Sequence, residues 1–331
     1  MSVPDAVTVL IPVWNGKEML VRLLESLSRQ TLRPEEVLVV DDGSTDGAPE
    51  EAERRGACVE RLGGNYGFAR AVNHGLGLVR TPLVAIVNSD VDPAPDWLER
   101  LAPATAREEV WFVCGKLYHP GSEVLDGTFD LVSRGLGAWR AGNGRRDFPA
   151  LNVARPVAMA SMTATLYRRR IFDLVGLLEP AFESYLEDVD FALRACTQGY
   201  RGWYQPEAVA VHVGGGSLGR WHRDTVRRVA RNQIFLLARH YPPSLIRRYW
   251  RSIGVTQILW GLVALKRGGL LPFLRGKWEG LARFREMRRP TDPSATERAV
   301  EECERELMFL QEAGGWDPFW RMYRVLAGRI K

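Results

Sequence analysis

The run Asn88-Ser89-Asp90-Val91-Asp92 sets carboxylates at alternate positions in a turn that follows a buried apolar stretch. Oxygen ligands of that kind suit a hard divalent cation, Mg2+ or Mn2+, holding a diphosphate. Trp14-Asn15 and Asp41-Asp42 also follow apolar runs directly, and an acidic group, Glu187-Asp188-Val189-Asp190, and His212 complete the polar set. Taken singly, each has a plainer reading: Asp and Asn form turns, acids at a helix start complement its dipole, and a lone His is usually a core residue. There is no GxxxxGK[ST] loop, so P-loop kinase and ATPase chemistry lacks its marker.

The elements that must carry these residues alternate. Apolar runs at 7–13, 37–40 and 83–87 read as buried strands, and residues 17–30 and 68–79 as helices between them. That alternation predicts a parallel sheet covered by helices, with ligands at the carboxyl ends of its strands, where the polar clusters fall. Residues 121–152, rich in Gly, Arg and Trp, read as a mobile loop over a site. A strand is expected near 159–167, a short helix at 168–175, and a helix at 183–198 ended by Gly199. Two short strands, at 203–204 and 208–211, precede His212 and Gly214-Gly215-Gly216-Ser217.

The chain has 331 residues, 46% hydrophobic and 26% charged, enough to build a sizeable core and to exclude wholesale disorder, collagen or a bare coiled coil. Four dispersed cysteines, with no CxxC pair and no secretory leader, argue against a zinc site or a disulfide framework and for a reducing compartment. Residues 218–290 carry 17 Lys and Arg against three acids, so a net charge of +5 leaves −9 for the rest. An acidic body of residues 1–217 with a basic helical region at 218–331 calls for an anionic partner, membrane or nucleic acid.

The ordered set is specific where its members are not. Ile11-Pro12-Val13-Trp14-Asn15, then Val39-Val40-Asp41-Asp42-Gly43-Ser44-Thr45-Asp46-Gly47, resembles the opening of the family 2 inverting glycosyltransferases. Asn65-Tyr66-Gly67-Phe68-Ala69-Arg70, Asn88-Ser89-Asp90, Glu187-Asp188-Val189-Asp190-Phe191, His212 with its glycines and Arg231-Asn232 continue it over residues 5–235. The nearest likeness is to bacterial rhamnosyltransferases of cell-surface polysaccharide assembly. The resemblance implies the α/β GT-A fold: a Rossmann-like nucleotide-binding half and an acceptor half on a mostly parallel central sheet, here with a C-terminal helical appendage. It implies that Asp42, or failing it Asp41, holds the donor's base in a pocket with Pro12, Trp14 and Asn15, and that Asn65, Gly67, Arg70 and Asn88 join that nucleotide site. Asp90 and His212, with Asp92 in a lesser role, would hold Mg2+ or Mn2+. Asp188 would be the catalytic base, with Glu187 and Asp190 facing the acceptor. Asn88 stands where the family often has a first aspartate, which bears on metal affinity.

The implied reaction is a single displacement at an anomeric carbon: the acceptor hydroxyl loses a proton as it attacks, and the diphosphate leaves with its charge neutralised. The specific expectation is rhamnosyl transfer from thymidine diphosphate to a lipid-linked saccharide. A UDP-sugar with another hexosyl or N-acetylhexosaminyl group, or a degenerate carbohydrate-binding scaffold, are the alternatives. The stretch 252–265 is too short and too polar to span a bilayer, which needs about 20 apolar residues. With basic and aromatic residues around it and around 270–278, it reads as an interfacial segment on the inner face of the cell membrane. Packing on the catalytic body or against a second copy is the competing reading; nucleic acid is disfavoured because no recognition fold accompanies the basic set.

Overall fold

The computed structural model describes residues 6–214 and 221–328, so Gly215, Gly216 and Ser217 of the glycine run lie outside the described residues. β1 (Val7–Val13) is buried along its whole length, with Val9 and Ile11 in one core and Leu10 in the other. A central strand covered by helices on both faces needs such an unalternating apolar run. α1 (Lys17–Ser28) leads to β2 (Glu36–Asp41), α2 (Ala48–Arg54) to β3 (Cys58–Arg61), and α3 (Phe68–Leu78) to β4 (Leu83–Val87). β1 pairs in parallel with β2 and β4, and β2 with β3, as the alternation predicts.

β5 (Val91–Pro93), α4 (Trp97–Leu101) and β6 (Val110–Tyr118) follow. Residues 121–152, expected as a mobile loop, instead hold β7 (Leu125–Gly127) and a hairpin of β8 (Asp130–Val132) and β9 (Ala138–Arg140). Leu125, Phe129, Leu131, Val132 and Leu136 are all buried there, so the segment forms part of the main core. Strands of three residues are too short to show a period, which is why the sequence reads as irregular.

After β10 (Arg155–Val157), β11 (Ala164–Arg168) runs antiparallel to both β4 and β6 and joins the two parallel parts of the sheet. α5 (Arg170–Val175) and α6 (Glu187–Thr197) precede β12 (Arg201–His212), one bulged strand where two short ones were expected. The sheet order is β10-β12-β6-β11-β4-β1-β2-β3, with β5 on β12 and β7 on β6.

The expected helix at 183–198 begins only at Glu187, because Glu183, Tyr185 and Leu186 have φ of 62°, 74° and 68°. The C-terminal helices are α7 (Arg223–His240), α8 (Pro243–Lys266), α9 (Leu270–Ala282), α10 (Phe284–Met287), α11 (Pro293–Ala313) and α12 (Pro318–Ala327). Phe235 and Leu236 of α7, with Cys303 and Leu307 of α11, enter the same core as β8 and α6. Glu304 fastens α11 by accepting from the Arg134 N–H, the Arg134 guanidinium and the Tyr323 hydroxyl.

Candidate active site

At the carboxyl ends of β1 and β2, polar side chains brace loops. Asn15, with φ of 58°, donates its N–H to Ser44 Oγ at 2.8 Å and accepts from the Thr45 N–H at 2.9 Å. Asp41 accepts from the Ser44 N–H at 2.9 Å. Asp42 is buried and accepts the N–H groups of Tyr66 and Gly67 at 2.8 and 2.7 Å; burial lifts its pKa against those bonds. The Asn65 amide, oriented to satisfy both ends, donates to Asp42 at 3.2 Å and accepts from Trp14 Nε1 at 3.1 Å. Thus Asp42, Asn65 and Trp14 form one connected group, and a carboxylate with four lone-pair sites keeps acceptor capacity beyond these bonds. Gly67 must be glycine: its φ is 91°, and a Cβ would stand 2.8 Å from the Glu183 carbonyl oxygen. That approach sets this loop against residues 183–184. Arg70 is exposed beside Tyr66, while Pro12 is buried within β1.

A second group lies at the ends of β4 and β12. His212 Nε2 is 3.2 Å from Asp90 Oδ1, and its Nδ1 is 2.8 Å from Asp126 Oδ2. Burial disfavours the imidazolium, but hydrogen bonds to Asp126 and Asp90 raise His212 to about 9. Burial would likewise raise Asp126; the His212 bond and the Arg140 charge outweigh it and hold that carboxyl well below the usual range. Arg140 donates to Asp126 at 2.7 Å and to Thr163 Oγ1 at 2.9 Å, and stands 3.7 Å from Asp130. Burial pushes Asp130 up to about 7 against the Arg140 charge, with the nearby Asp188 adding to the rise. Thr163 accepts the Asn88 N–H at 2.8 Å through its carbonyl, so the two strand ends meet in this network.

Asp188 sits in the first turn of α6, its Oδ1 accepting from the Val189 N–H at 2.8 Å and its Oδ2 from the Met162 N–H at 3.4 Å. It keeps partial solvent access, and desolvation raises its pKa against the Arg140 charge and those backbone bonds. The left-handed residues before it are held from α7. Asn232 Nδ2 donates to the carbonyls of Phe182, Ser184 and Tyr185 at 2.9, 3.0 and 2.7 Å, and Arg231 binds the Phe182 carbonyl and Glu183.

Three expected ligands are placed otherwise. Asp190 is fully buried and ion-paired to Arg194, Arg239 and His240; burial opposes its charge, but the His240 bond and the arginines hold it well below the usual range. It joins α6 to α7 and is not open to an acceptor. Glu187 is 5% exposed with Oε2 unpartnered, and burial with the Asp188 charge pushes it well above the ordinary carboxyl value. Asp92 accepts from Ser26 Oγ on α1.

No cluster of three or more His, Cys, Asp and Glu side chains converges on one point among the described residues. A Mg2+ or Mn2+ ion needs fewer: one or two protein ligands suffice when substrate phosphates complete the shell. Two donors about 2.1 Å from an octahedral ion and at right angles are about 3 Å apart, close to the 3.2 Å between His212 Nε2 and Asp90 Oδ1. Asp126 behind Nδ1 supplies the outer carboxylate that orients a ligating imidazole. The buried Oδ1 of Asn88 has no hydrogen-bond partner among the described residues, so an acceptor is left over at the end of β4. These donors fit a divalent cation.

Asp126, Asp130, Arg140 and Thr163 were invisible to the sequence because they lie in short strands and irregular connections with no motif. Charged residues within an otherwise apolar, turn-rich segment were the one available sign. Beside them, a cavity of about 730 Å3 is lined by Tyr118, His119, Arg146, Asp147 and Val211. His119 stands 3.9 Å from Asp126.

Residues 8–176 match the family model described as Glycosyl transferase family 2. The chain is 30% identical over 265 residues to an N-acetylglucosaminyl-diphospho-decaprenol L-rhamnosyltransferase of Mycobacterium tuberculosis, covering 71% of this chain and 85% of that protein. Among solved structures it is similar to GalNAc-T7 with UDP, GalNAc and Mn2+, with a TM-score of 0.64 and 13% identity over 96% of this chain and 59% of that one. It is also similar to the mannosyltransferase PcManGT of Pyrobaculum calidifontis with GDP-Man and Mn2+, with a TM-score of 0.52 and 18% identity over 98% and 87% of the two chains. These two likenesses carry the GT-A fold.

Proposed function

The chain belongs to glycosyltransferase family 2, and on that premise we propose that it transfers rhamnose, with inversion, from a thymidine diphosphate donor to a lipid-linked saccharide. One observation carries the reaction class: an unbroken run of contacts from Asp188 through residues 162–163 to Arg140, Asp126, His212 and Asp90. It supports reading Asp188 as the proton acceptor and the Asp90–His212 pair as the cation site, joined in one network at the carboxyl edge of the sheet. The sugar and the polyprenol-linked acceptor are taken from the name of the M. tuberculosis relative.

In this reading Asp42, Asn65, Trp14 and Asn15 shape the base pocket, with Asp41, Pro12 and Gly67 forming its wall and Arg70 facing the diphosphate. Asp188 accepts the proton of the attacking hydroxyl, and its raised pKa brings it nearer the strength a general base needs at neutral pH. Arg140 fixes the carboxylates around it. A divalent cation held by Asp90 and His212, with Asn88 beside them, would neutralise charge on the leaving diphosphate. The cavity next to Asp126 is the acceptor site. Residues 1–217 are the transferase unit and 218–331 a basic helical extension, and the lipid-linked acceptor puts the enzyme at the inner face of the cell membrane.

Asp188→Asn should lower kcat by about 10²–10⁴-fold, the usual worth of a positioned base, while the donor Kd stays within a few-fold. Near-wild-type turnover would overturn the assignment. A panel of nucleotide sugars, read first by thermal shift and then by turnover with Mn2+, tests the sugar. Preferred turnover of a UDP-hexose would replace rhamnose and leave the reaction class intact. Binding without any hydrolysis or transfer would make the chain a scaffold.

A further inference from the structure

Helix α9 is turned inside out. Its small residues face the protein: a Cβ on Gly276 would lie 2.1 Å from the Arg227 carbonyl oxygen, and one on Gly280 would lie 2.7 Å from Ile234 Cβ. Phe273 also turns inward, against Val226, Ala230 and Ala264, while four large apolar side chains stay on the other side, with Leu271 and Trp278 72% and 71% exposed and Leu274 and Leu281 over half exposed. Their spacing of three, four and three residues makes one helical stripe. α8 packs beside α9 through the turn at 267–269 and presents Ile258, Leu262 and Leu265, also exposed and spaced four and three apart. Large apolar stripes on two adjoining helices are not an ordinary solvated surface.

The charge around the stripes identifies the occupant. Arg247 and Lys266 on α8, and Arg285 and Arg288 on and just after α10, are exposed, and no ion pair joins them to a carboxylate among the described residues. Pressing two copies together through this region would bring these exposed cations against one another. An anionic lipid surface neutralises them. No described helix is long and apolar enough to cross a membrane, so the pair would lie along the interface. We infer that the outer face of the α8–α9 hairpin docks the enzyme onto an anionic phospholipid bilayer, with the leucines and Trp278 entering the headgroup–acyl boundary. The inference shares the inner-face location with the proposed lipid-linked acceptor but stands on apolar exposure and charge alone.

The test is co-sedimentation of the full chain with vesicles of phosphatidylcholine, with and without phosphatidylglycerol. Partition should rise at least about tenfold with the anionic lipid and fall with added salt. The quadruple variant Leu271→Ser, Leu274→Ser, Trp278→Ser, Leu281→Ser should lose about tenfold or more of the binding, since each buried CH2 contributes about 0.8 kcal/mol. Arg247→Glu with Lys266→Glu and Arg288→Glu should remove the preference for phosphatidylglycerol. Brominated lipid should quench the wild-type tryptophan emission more than that of Trp278→Phe. Equal recovery of the wild type in the supernatant with both vesicles overturns the inference. So does a concentration-dependent dimer that the serine variant dissolves, because the face would then belong to a second copy. Donor hydrolysis is measured on the same samples without vesicles. Hydrolysis without vesicle binding removes only the docking surface, and vesicle binding without hydrolysis removes only the proposed reaction.

Discussion

Asn232→Ala isolates the link between α7 and Asp188, the proposed base. The side-chain amide holds three carbonyls, at 2.9, 3.0 and 2.7 Å, in a segment where three non-glycine residues have positive φ. A net hydrogen bond contributes about 1 kcal/mol, and a buried polar group left unpaired costs about 1–3 kcal/mol. Residues 184–185 are partly exposed and can recruit water after the amide is lost. The loss in stability should therefore be about 2–4 kcal/mol, read as a lower urea midpoint with unchanged m-value. The backbone strain, about 1–3 kcal/mol per unusual residue, then has less to oppose it, and the 183–186 turn relaxes. Asp188 follows that turn directly, and a displacement of about 1 Å is enough to lower kcat about 10²-fold. The donor Kd should move less than kcat, since Asp42 and Asn65 keep their own bonds and only the 67–69 edge of that loop touches residues 183–184. A variant that loses stability but keeps kcat within twofold would refute the claim that this turn aims Asp188. Unchanged stability would refute the bond network itself.

The remaining predictions concern the charged network and the helix seat. Arg140→Gln leaves Asp130 without its cation and Asp126 with His212 alone, and should destabilise the fold by about 3–5 kcal/mol, while Arg140→Lys recovers part of it; chemical denaturation reads both. Asp190→Asn should act on stability to a similar degree, about 3 kcal/mol, with no selective rise in acceptor KM; a pure KM effect would restore it as an acceptor contact. His212 is raised from 6.5 to about 9 in the fold, so it stabilises fully below 6.5. That stability, about 3 kcal/mol by linkage, should fade as pH rises from 6.5 through about 9, and His212→Gln should flatten this window in pH-resolved unfolding. Because a ligating imidazole must be neutral, Mn2+ affinity should climb with pH over the same window, and calorimetry in buffers of different ionisation heat should find a proton released. Gly276→Ala drives a methyl into the Arg227 carbonyl and should lower stability by about 1–3 kcal/mol, seen as a lower melting temperature.

The parallel half of the fold was legible because its strands are long apolar runs such as Val7–Val13, and its polar clusters fall directly after them. Asp90, His212 and Asp188 stand out as candidates because they sit in an ordered set of motifs. Asp126 and Arg140 could not, since their strands have three residues each and borrow their stability from distant partners. The helix expected from residue 183 begins four residues later because Asn232, 49 positions away from Glu183, holds the chain in a conformation its own residues disfavour. Asp92 and Asp190 share their local spacing with the site residues; only tertiary partners, Ser26 for one and Arg239 with His240 for the other, separate them from it. Composition revealed the basic C-terminal region but not that glycines rather than leucines face inward on α9.

The hold of α7 on its neighbours sets a rule for recombining this chain with its relatives. A chimaera joined at residue 217 would take Asn232 from one parent and its carbonyl partners from the other. It would also divide Asp190 from Arg239 and His240. Moving the junction past Tyr241 keeps both sets in one parent, so the later helices, with the proposed membrane face, could be exchanged without parting these bonds. The transplantable unit therefore ends a whole helix later than the change in composition suggests, and libraries built with crossovers on either side of α7 would differ in how many members still turn over donor.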